Sequence, residues 1–196
     1  MAVEKFRYRI QHCKLAPFHL LAHLDVYRTW ERAFRRAAIP VLYSQGFNPR
    51  PLFSFPFATP LGIESKAECF EVFCGEPLPP WELQERLNRE VPEELAVTQV
   101  QALASFDPPV QRVLRGIVYT FFFPASWSPK EEWTLPEGIT VYSLAGSSPV
   151  VSFLFKGEKV LWNPLKLVAF LETNSGCPFP RRIVRERLLL WERNGG

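Results

Sequence analysis

"FRYRIQHCK", residues 6–14, and "HLLAHLDVYRTWERAFRRAAIP", residues 19–40, decide the fold because the spacing of apolar residues changes between them. The first stretch alternates Phe6, Tyr8 and Ile10 with polar residues, which predicts a β-strand with one wet face. The second stretch has helical spacing, and Pro40 predicts that its helix ends at or before Ile39. Six apolar residues are expected on one side of this helix: Leu20, Leu24, Tyr27, Trp30, Phe34 and Ala38.

The following segments continue this alternation of strands and helices. A strand is predicted at "PVLYSQ" (40–45) and a second, proline-limited extended piece at "LFSFPF" (52–57), followed by strands at "AECFEVFC" (67–74) and "LAVTQVQALA" (95–104). The segment "GFNPRP" (46–51) between the first two is expected to form an irregular turn. "LPPWELQERLNREVP" (78–92) predicts a helix with proline near its first turn. The resulting order β-α-β-β-α-β is that of a ferredoxin-like, split βαβ unit.

The second half of the chain repeats this order in outline. Strands are predicted at "GIVYTFFFP" (116–124), "ITVYSLA" (139–145), "VVSFLFKG" (150–157) and "IVRERLLLW" (183–191). "SPKEEW" (128–133) predicts a weak helical turn, and "NPLKLVAFLETN" (163–174) predicts a helix capped by Asn163. The sequence therefore predicts an α+β protein of two tandem ferredoxin-like halves, residues 1–105 and 112–196, with 105–111 as a linker.

Charge is unevenly distributed along the 196 residues. Residues 1–56 contain nine Lys and Arg against three Asp and Glu, residues 57–111 contain three against ten, and residues 112–196 contain eleven against seven. This asymmetry favours an anionic partner on one face, although an ordinary mixed surface is the alternative. The N-terminus has no apolar run typical of a signal peptide, and no segment approaches the length of a membrane span. A cytoplasmic protein without membrane contact is expected.

The cysteines Cys13, Cys69, Cys74 and Cys177 do not have the spacing of a metal site. There is no C-x-x-C pair, and none of the three histidines has zinc spacing with a cysteine. Buried thiols are expected instead, with no metal and no cofactor.

Candidate catalytic residues are few. His23 and Asp25 are acid–base candidates, but two residues apart on a helix they point in different directions. Pairing of Asp25 with an arginine is the structural alternative. No nucleophile elbow or phosphate-binding glycine loop is present in the sequence. An enzymatic activity of this chain is therefore not the expectation.

Arginines on the first helix are the strongest functional signal. Arg28, Arg32, Arg35 and Arg36 fall on the side opposite the predicted apolar stripe. Guanidinium groups bind phosphates through paired hydrogen bonds and stack on bases. Beside them, the turn at 46–51 offers Phe47, Asn48 and Arg50, a mixture typical of RNA recognition. The alternatives are a solvated helix face and a Phe47 ring buried in the core.

The stretch "LAHLDVYRTWERAFRRAAIPVLYSQGFNPRPLFSFPFATPLGIESKAECFEV", residues 21–72, resembles the N-terminal signature of the radical-SAM-linked protein family. That signature has the form "SHLDL…ERAxRRAxLPxxYSxGFNPxPxxSFxxxLPxGxxSxxEYxD" and is followed by an "RLN…P" helix, here Arg86–Asn88 and Pro92. Ala22, Arg50 and Cys69 depart from it. Members of this family are encoded beside, or fused to, a radical SAM protein, often near a ribonuclease of the E/G type.

The resemblance implies an accessory role in RNA or ribosome-related chemistry. Three hypotheses follow from it. The first is an RNA-binding accessory protein that works with a separate radical SAM enzyme. The second is a protein–protein scaffold that docks this enzyme without RNA contact. The third is an RNA-processing or RNA-modifying enzyme in its own right, since paired ferredoxin-like domains also resemble Cas6-type endonucleases and tRNA pseudouridine synthases.

Overall fold

A computed structural model describes residues 5–129, 133–144, 149–157 and 163–190. The described residues form a mixed α+β protein with eight strands and four helices. The strands are β1 (Phe6–Lys14), β2 (Phe53–Ser54), β3 (Glu64–Cys74), β4 (Val97–Leu103), β5 (Leu114–Phe122), β6 (Ile139–Leu144), β7 (Val150–Lys156) and β8 (Arg182–Leu190). The helices are α1 (His23–Arg36), α2 (Pro80–Asn88), α3 (Val110–Val113) and α4 (Pro164–Ser175). None of the described helices combines the length and apolar character needed to cross a membrane.

The chain divides into two compact units. Unit 1 contains residues 1–61 and 67–112, and unit 2 contains residues 62–66 and 113–196. In unit 1 the strand order is β4-β1-β3, and β2 pairs with the end of β3. The β1–β4 and β2–β3 pairs are antiparallel. Helix α1 connects β1 to β2, and helix α2 connects β3 to β4. In both cases another strand lies between the two connected strands.

The core of unit 1 lies between its strands and its two long helices. Helix α1 buries Val26, Trp30, Ala33 and Phe34. The predicted stripe is thus correct at Trp30 and Phe34, whereas Leu20 and Leu24 are at least half exposed to solvent, and Ala38 is exposed as well. Leu20 lies outside the helix because α1 begins only at His23, after a separate 3-10 turn at Phe18–Leu20. Its end at Arg36 confirms the boundary predicted from Pro40.

The prediction that one face of β1 is wet is wrong at Arg9, although Arg7 and Gln11 on that face are partly exposed. Arg9 is buried and forms an ion pair with Glu71 of β3, with 2.9 Å between Arg9 Nη2 and Glu71 Oε1. Arg9 Nη2 also donates to the carbonyl oxygen of Pro108, so the 105–111 segment packs over this side of β1. A charged group is tolerated in such a place only when it is paired and hydrogen-bonded. The period-two pattern could not indicate a partner so far along the chain.

The strand predicted at residues 40–45 is also wrong. Only isolated bridges form there, between Val41 and Cys74 and between Tyr43 and Pro51. The proline-limited extended piece predicted at 52–57 contains only the two strand residues of β2. Prolines lack the N–H that a strand ladder requires, and this segment contains four of them between residues 40 and 56.

Unit 2 has the strand order β8-β5-β7-β6, and its three strand pairs are antiparallel. Glu64 and Ser65, at the start of β3, add a short parallel pairing to β8. The four strands predicted for this half are confirmed within the described residues. Of the turn predicted at 128–133, residues 130–132 lie outside the described residues, as does Trp191 at the end of the last predicted strand.

Helix α4 of unit 2 begins as its sequence predicts. The Asn163 side-chain oxygen accepts a hydrogen bond from the Leu165 backbone N–H at 3.0 Å, and Pro164 is the first helical residue. The helix ends at Gly176, which has a left-handed φ of 59°. Such a conformation costs glycine little because it has no Cβ.

Candidate nucleic-acid interface

The arginine face of α1 is exposed to solvent, as the sequence predicts. It comprises Arg28, Arg32, Arg35 and Arg36. Within the part of the chain that the structure describes, the side chains of Arg32 and Arg35 have no carboxylate partner and no hydrogen bond. Their positive charge is therefore balanced only by solvent and is open to an anionic ligand.

The other two arginines of this face have protein partners. Arg36 Nε donates to Glu90 Oε2 at 2.8 Å, and Arg36 Nη2 donates to the Glu90 carbonyl oxygen at 2.6 Å. Arg28 Nη1 lies 3.7 Å from Asp25 Oδ1, and both side chains are about half exposed. An exposed pair of this kind contributes little stability and is readily broken. Arg36 thus ties α1 to the segment after α2, whereas Arg28 remains accessible.

The loop between Tyr43 and Pro51, called here the aromatic loop, is anchored at its base. Tyr43 and Pro51 form an antiparallel bridge. Just inside it, the Ser44 N–H donates to the Arg50 carbonyl oxygen at 2.8 Å, and the Arg50 N–H donates to Ser44 Oγ at 3.0 Å. At Gly46 the backbone takes a φ of 136°, which favours glycine. These contacts fix the two ends of the loop against each other.

The tip of the aromatic loop presents its side chains to solvent. Phe47 is fully exposed, at 106% of its reference area. Asn48 and Arg50 are exposed as well. Phe47 is therefore not a core residue, in contrast to Phe53 and Phe55, which are partly buried and pack against the core of unit 1. An exposed phenylalanine on an anchored loop offers a flat apolar surface to a ligand.

Tyr27 connects the arginine helix to the aromatic loop. Its hydroxyl donates to the Pro51 carbonyl oxygen at 3.1 Å, and its ring packs edge-on against Phe53. Burial raises the pKa of Tyr27, the Glu31 carboxylate raises it further, and Arg50 opposes this shift. Residues of α1 and of the loop base therefore lie within electrostatic reach of one another.

Tyr27, Glu31 and Tyr43 are not among the predicted site residues. Helical spacing is the sequence signal that could have grouped Tyr27 with Glu31, because the two are four residues apart and share a face of α1. Nothing in the sequence placed Tyr43 beside them, since that contact depends on the path of the aromatic loop.

The structure does not bring the catalytic candidates together. The His23 ring is exposed and packs edge-on against Phe55, with 5.3 Å between ring centroids. Asp25 is paired with Arg28 and accepts a hydrogen bond from Thr29 Oγ1 only through its backbone oxygen. His23 therefore has an aromatic neighbour and Asp25 a basic one, and neither arrangement assembles an acid–base pair.

The cysteines are free thiols. Cys69, Cys74 and Cys177 are buried, as predicted, whereas Cys13 is partly exposed. Burial raises the pKa of the Cys74 thiol to about 12, which keeps it protonated and unreactive at neutral pH. Among the described residues, no three His, Cys, Asp or Glu side chains are grouped so that they could hold a metal ion.

An open groove of about 550 Å³ runs along α2 and is lined by Trp81, Gln84, Glu85, Asn88 and Arg89. Its polar groups are already paired. Gln84 and Asn88 donate to the Val97 carbonyl oxygen, and Arg89 donates to Glu85. The groove therefore has fewer available hydrogen-bonding groups than the arginine face.

A family model described as "Uncharacterized protein conserved in bacteria (DUF2344)" matches residues 7–159. This range includes α1, the aromatic loop and most of the described strands. No protein with curated information matches the chain significantly.

Proposed function

We propose that this chain, which belongs to the DUF2344 family of uncharacterized proteins conserved in bacteria, is an RNA-binding accessory protein. The observation that carries the proposal is the fully exposed Phe47 ring on an anchored loop, next to a helix whose Arg32 and Arg35 have no partner among the described residues. Arg50, at the base of the same loop, adds a third accessible guanidinium group.

This combination suits single-stranded RNA. Backbone phosphates are bound by guanidinium groups, and unstacked bases are bound by exposed aromatic rings. Duplex RNA would not offer a base face to Phe47 because its bases are stacked on one another. A flexible or looped RNA segment is therefore the ligand that this surface fits best.

The enzyme that this protein would assist is a radical SAM protein. The support is the resemblance of residues 21–72 to the radical-SAM-linked signature. Since His23 and Asp25 do not form an acid–base pair, the proposal assigns the chemistry to the partner and the presentation of RNA to this chain. In this proposal both proteins act in the cytoplasm.

Both units of this proposed protein are ferredoxin-like. The support is that strands joined by a helix are separated by one other strand in each unit: β1 lies between β3 and β4, and β5 lies between β7 and β8. That arrangement is the mark of a split βαβ unit. An experimental structure of the full chain tests it, and residues 113–190 folded as a helical bundle would contradict it.

A protein–protein scaffold is the second candidate, favoured by one observation. Leu20, in the 3-10 turn before α1, and Leu24, in the first turn of α1, are 61% and 50% exposed. Together with Phe47 they could form an apolar patch that docks a protein. Capture of a radical SAM protein without RNA binding at about 50 mM salt would support the scaffold instead.

Replacing Arg32 and Arg35 by alanine is expected to weaken the salt dependence of RNA binding. Each neutralised phosphate contributes about −0.7 to the slope of log K against log salt concentration for single strands. The double variant, which removes two such contacts, should therefore show a slope shallower by about 1.4, measured by fluorescence anisotropy on a single-stranded RNA. The fold should be unchanged because both side chains are exposed.

Arg181 and Arg187, two exposed arginines of unit 2, provide the matched control. Their double alanine variant removes the same charge and should leave the slope close to that of the original chain. If both double variants change the slope equally, the RNA contact is a general charge effect and the assignment to α1 is wrong.

Replacing Phe47 by alanine is expected to lower RNA affinity without changing the salt slope. Stacking of one base on an aromatic ring is worth about 1–3 kcal/mol and releases no counterions. The loss should be about tenfold in Kd at fixed salt. Phe106→Ala is the control, because that ring is also exposed, at 74%, but lies outside the aromatic loop. Equal losses in the two variants would argue against a stacking role for Phe47.

A further inference from the structure

We propose that Glu31, together with the rings of the aromatic loop, selects an unpaired guanine in the bound RNA. The inference deepens the proposed function and rests on it: it names the base that the RNA-binding surface recognises. It assigns to Glu31 a specificity role on a face that is otherwise basic.

The placement of Glu31 follows from the packing of α1 against the loop base. Glu31 is one helical turn after Tyr27, and the Tyr27 hydroxyl donates to the Pro51 carbonyl oxygen at 3.1 Å. Pro51 in turn is bridged to Tyr43, whose ring is 45% exposed. Glu31 therefore neighbours the Tyr27–Pro51 contact on the α1 side, and Tyr43 neighbours it on the loop side.

The groups around this contact are available to a ligand. Glu31 is partly exposed and has no ion pair or hydrogen bond within the described ranges, although it shares α1 with four arginines. The side chains of Tyr43 and Arg50 likewise have no hydrogen bond or ion pair there. One acceptor, one aromatic ring and one cation therefore lie within electrostatic reach of Tyr27 without pairing with one another.

Guanine is the base that matches this set. A carboxylate only accepts hydrogen bonds, and it can accept two at once. The Watson–Crick edge of guanine carries two adjacent donors, N1–H and the N2 amino group, whereas uracil offers only N3–H. An exposed ring stacks on the base and Arg50 is placed for its phosphate. A bidentate contact of this kind discriminates a base by about tenfold or more.

The test compares short oligouridine RNAs that differ at one central position. Guanosine, inosine, cytidine or uridine is placed there, and Kd is measured for the intact chain at constant salt. Guanosine should bind about tenfold more tightly than uridine. Inosine, which lacks the N2 amino group, should lose most of this preference. Glu31→Gln should abolish the preference, while Glu93→Gln, an exposed site before β4, should keep it.

The outcomes separate this inference from the function on which it rests. Salt-dependent binding of all RNAs with equal affinity, or a guanosine preference that survives in Glu31→Gln, would overturn the inference and leave RNA binding intact. Failure of all the RNAs to bind at about 50 mM salt would overturn the proposed function itself. Overall affinity is not the readout for Glu31→Gln, because removing a negative charge strengthens binding to any RNA.

Discussion

Replacing Glu71 by alanine is expected to lower the free energy of unfolding by about 3–5 kcal/mol. Glu71 Oε1 accepts hydrogen bonds from Arg9 Nε at 3.1 Å, Arg9 Nη2 at 2.9 Å and the Val110 backbone N–H at 3.1 Å. The alanine variant would leave a buried cation and a buried N–H without their acceptor. Such unpaired groups are among the most destabilising changes in a protein core.

Denaturant unfolding at neutral pH measures this effect. Glu85→Ala is the matched control, since it removes a carboxylate from an ion pair with Arg89 that is more than half exposed. That change should alter stability by at most about 0.5 kcal/mol. The double variant Arg9→Met, Glu71→Leu should recover most of the lost stability, because no buried charge remains. A loss below about 1 kcal/mol for Glu71→Ala would show that water reaches Arg9.

The second large effect expected is a loss of stability in mild acid caused by His12. Its ring is buried against Trp30 and Phe70, with centroids 4.7 and 5.6 Å away, and Nδ1–H donates to the Cys13 carbonyl oxygen at 2.7 Å. Burial lowers the pKa of His12 to about 4, against the opposing effect of the Glu68 carboxylate, while Lys14 adds to the lowering. The folded protein therefore holds a neutral imidazole where the unfolded chain binds a proton.

The neutral His12 ring makes its full contribution to the free energy of unfolding above pH 6.5, and this contribution is lost as the pH falls toward 4. Between pH 7.5 and 4.5 the loss should be about 2–3 kcal/mol. The Asn side chain of His12→Asn keeps a donor for the Cys13 carbonyl oxygen but does not titrate. Between pH 7.5 and 4.5 the variant should therefore lose less stability than the original chain, and the difference should equal the loss attributed to His12. The slopes of the free energy of unfolding against pH are compared for the two proteins. A packing defect in the variant would shift its stability at every pH, whereas the loss of His12 titration changes the slope. Parallel slopes would mean that His12 is already accessible to protons in the folded state.

The sequence predicted the positions of helices and strands better than it predicted which of their side chains are buried. Periodicity located β1 and α1, and Asn163 with Pro164 located the start of α4, because these signals are local. Burial of Arg9 was not predictable, since its acceptor Glu71 lies 62 positions away in the chain. The segment at residues 40–45 was predicted as a strand because its apolar residues outweighed the effect of the neighbouring prolines.

The candidate site shows the same limit. The exposure of the α1 arginines follows directly from helical geometry, and the structure bears it out. Periodicity does not extend into an irregular loop, so the exposure of Phe47 could not be predicted. The pairing of Arg36 with Glu90 joins residues 54 positions apart, and only the folded chain reveals that Arg36 is occupied. Glu31 lies on the same helix as these arginines but forms no ion pair within the described residues.

The most direct test of RNA binding is the salt dependence of the unmodified chain on a single-stranded RNA. Among the arginines proposed to bind RNA, the side chains of Arg32, Arg35 and Arg50 have no protein partner within the described residues. Three phosphate contacts predict a slope of log K against log salt concentration of about −2. Measurable binding at about 50 mM salt with that slope would support the account. Absence of binding at that salt concentration, or a slope near zero, would contradict it.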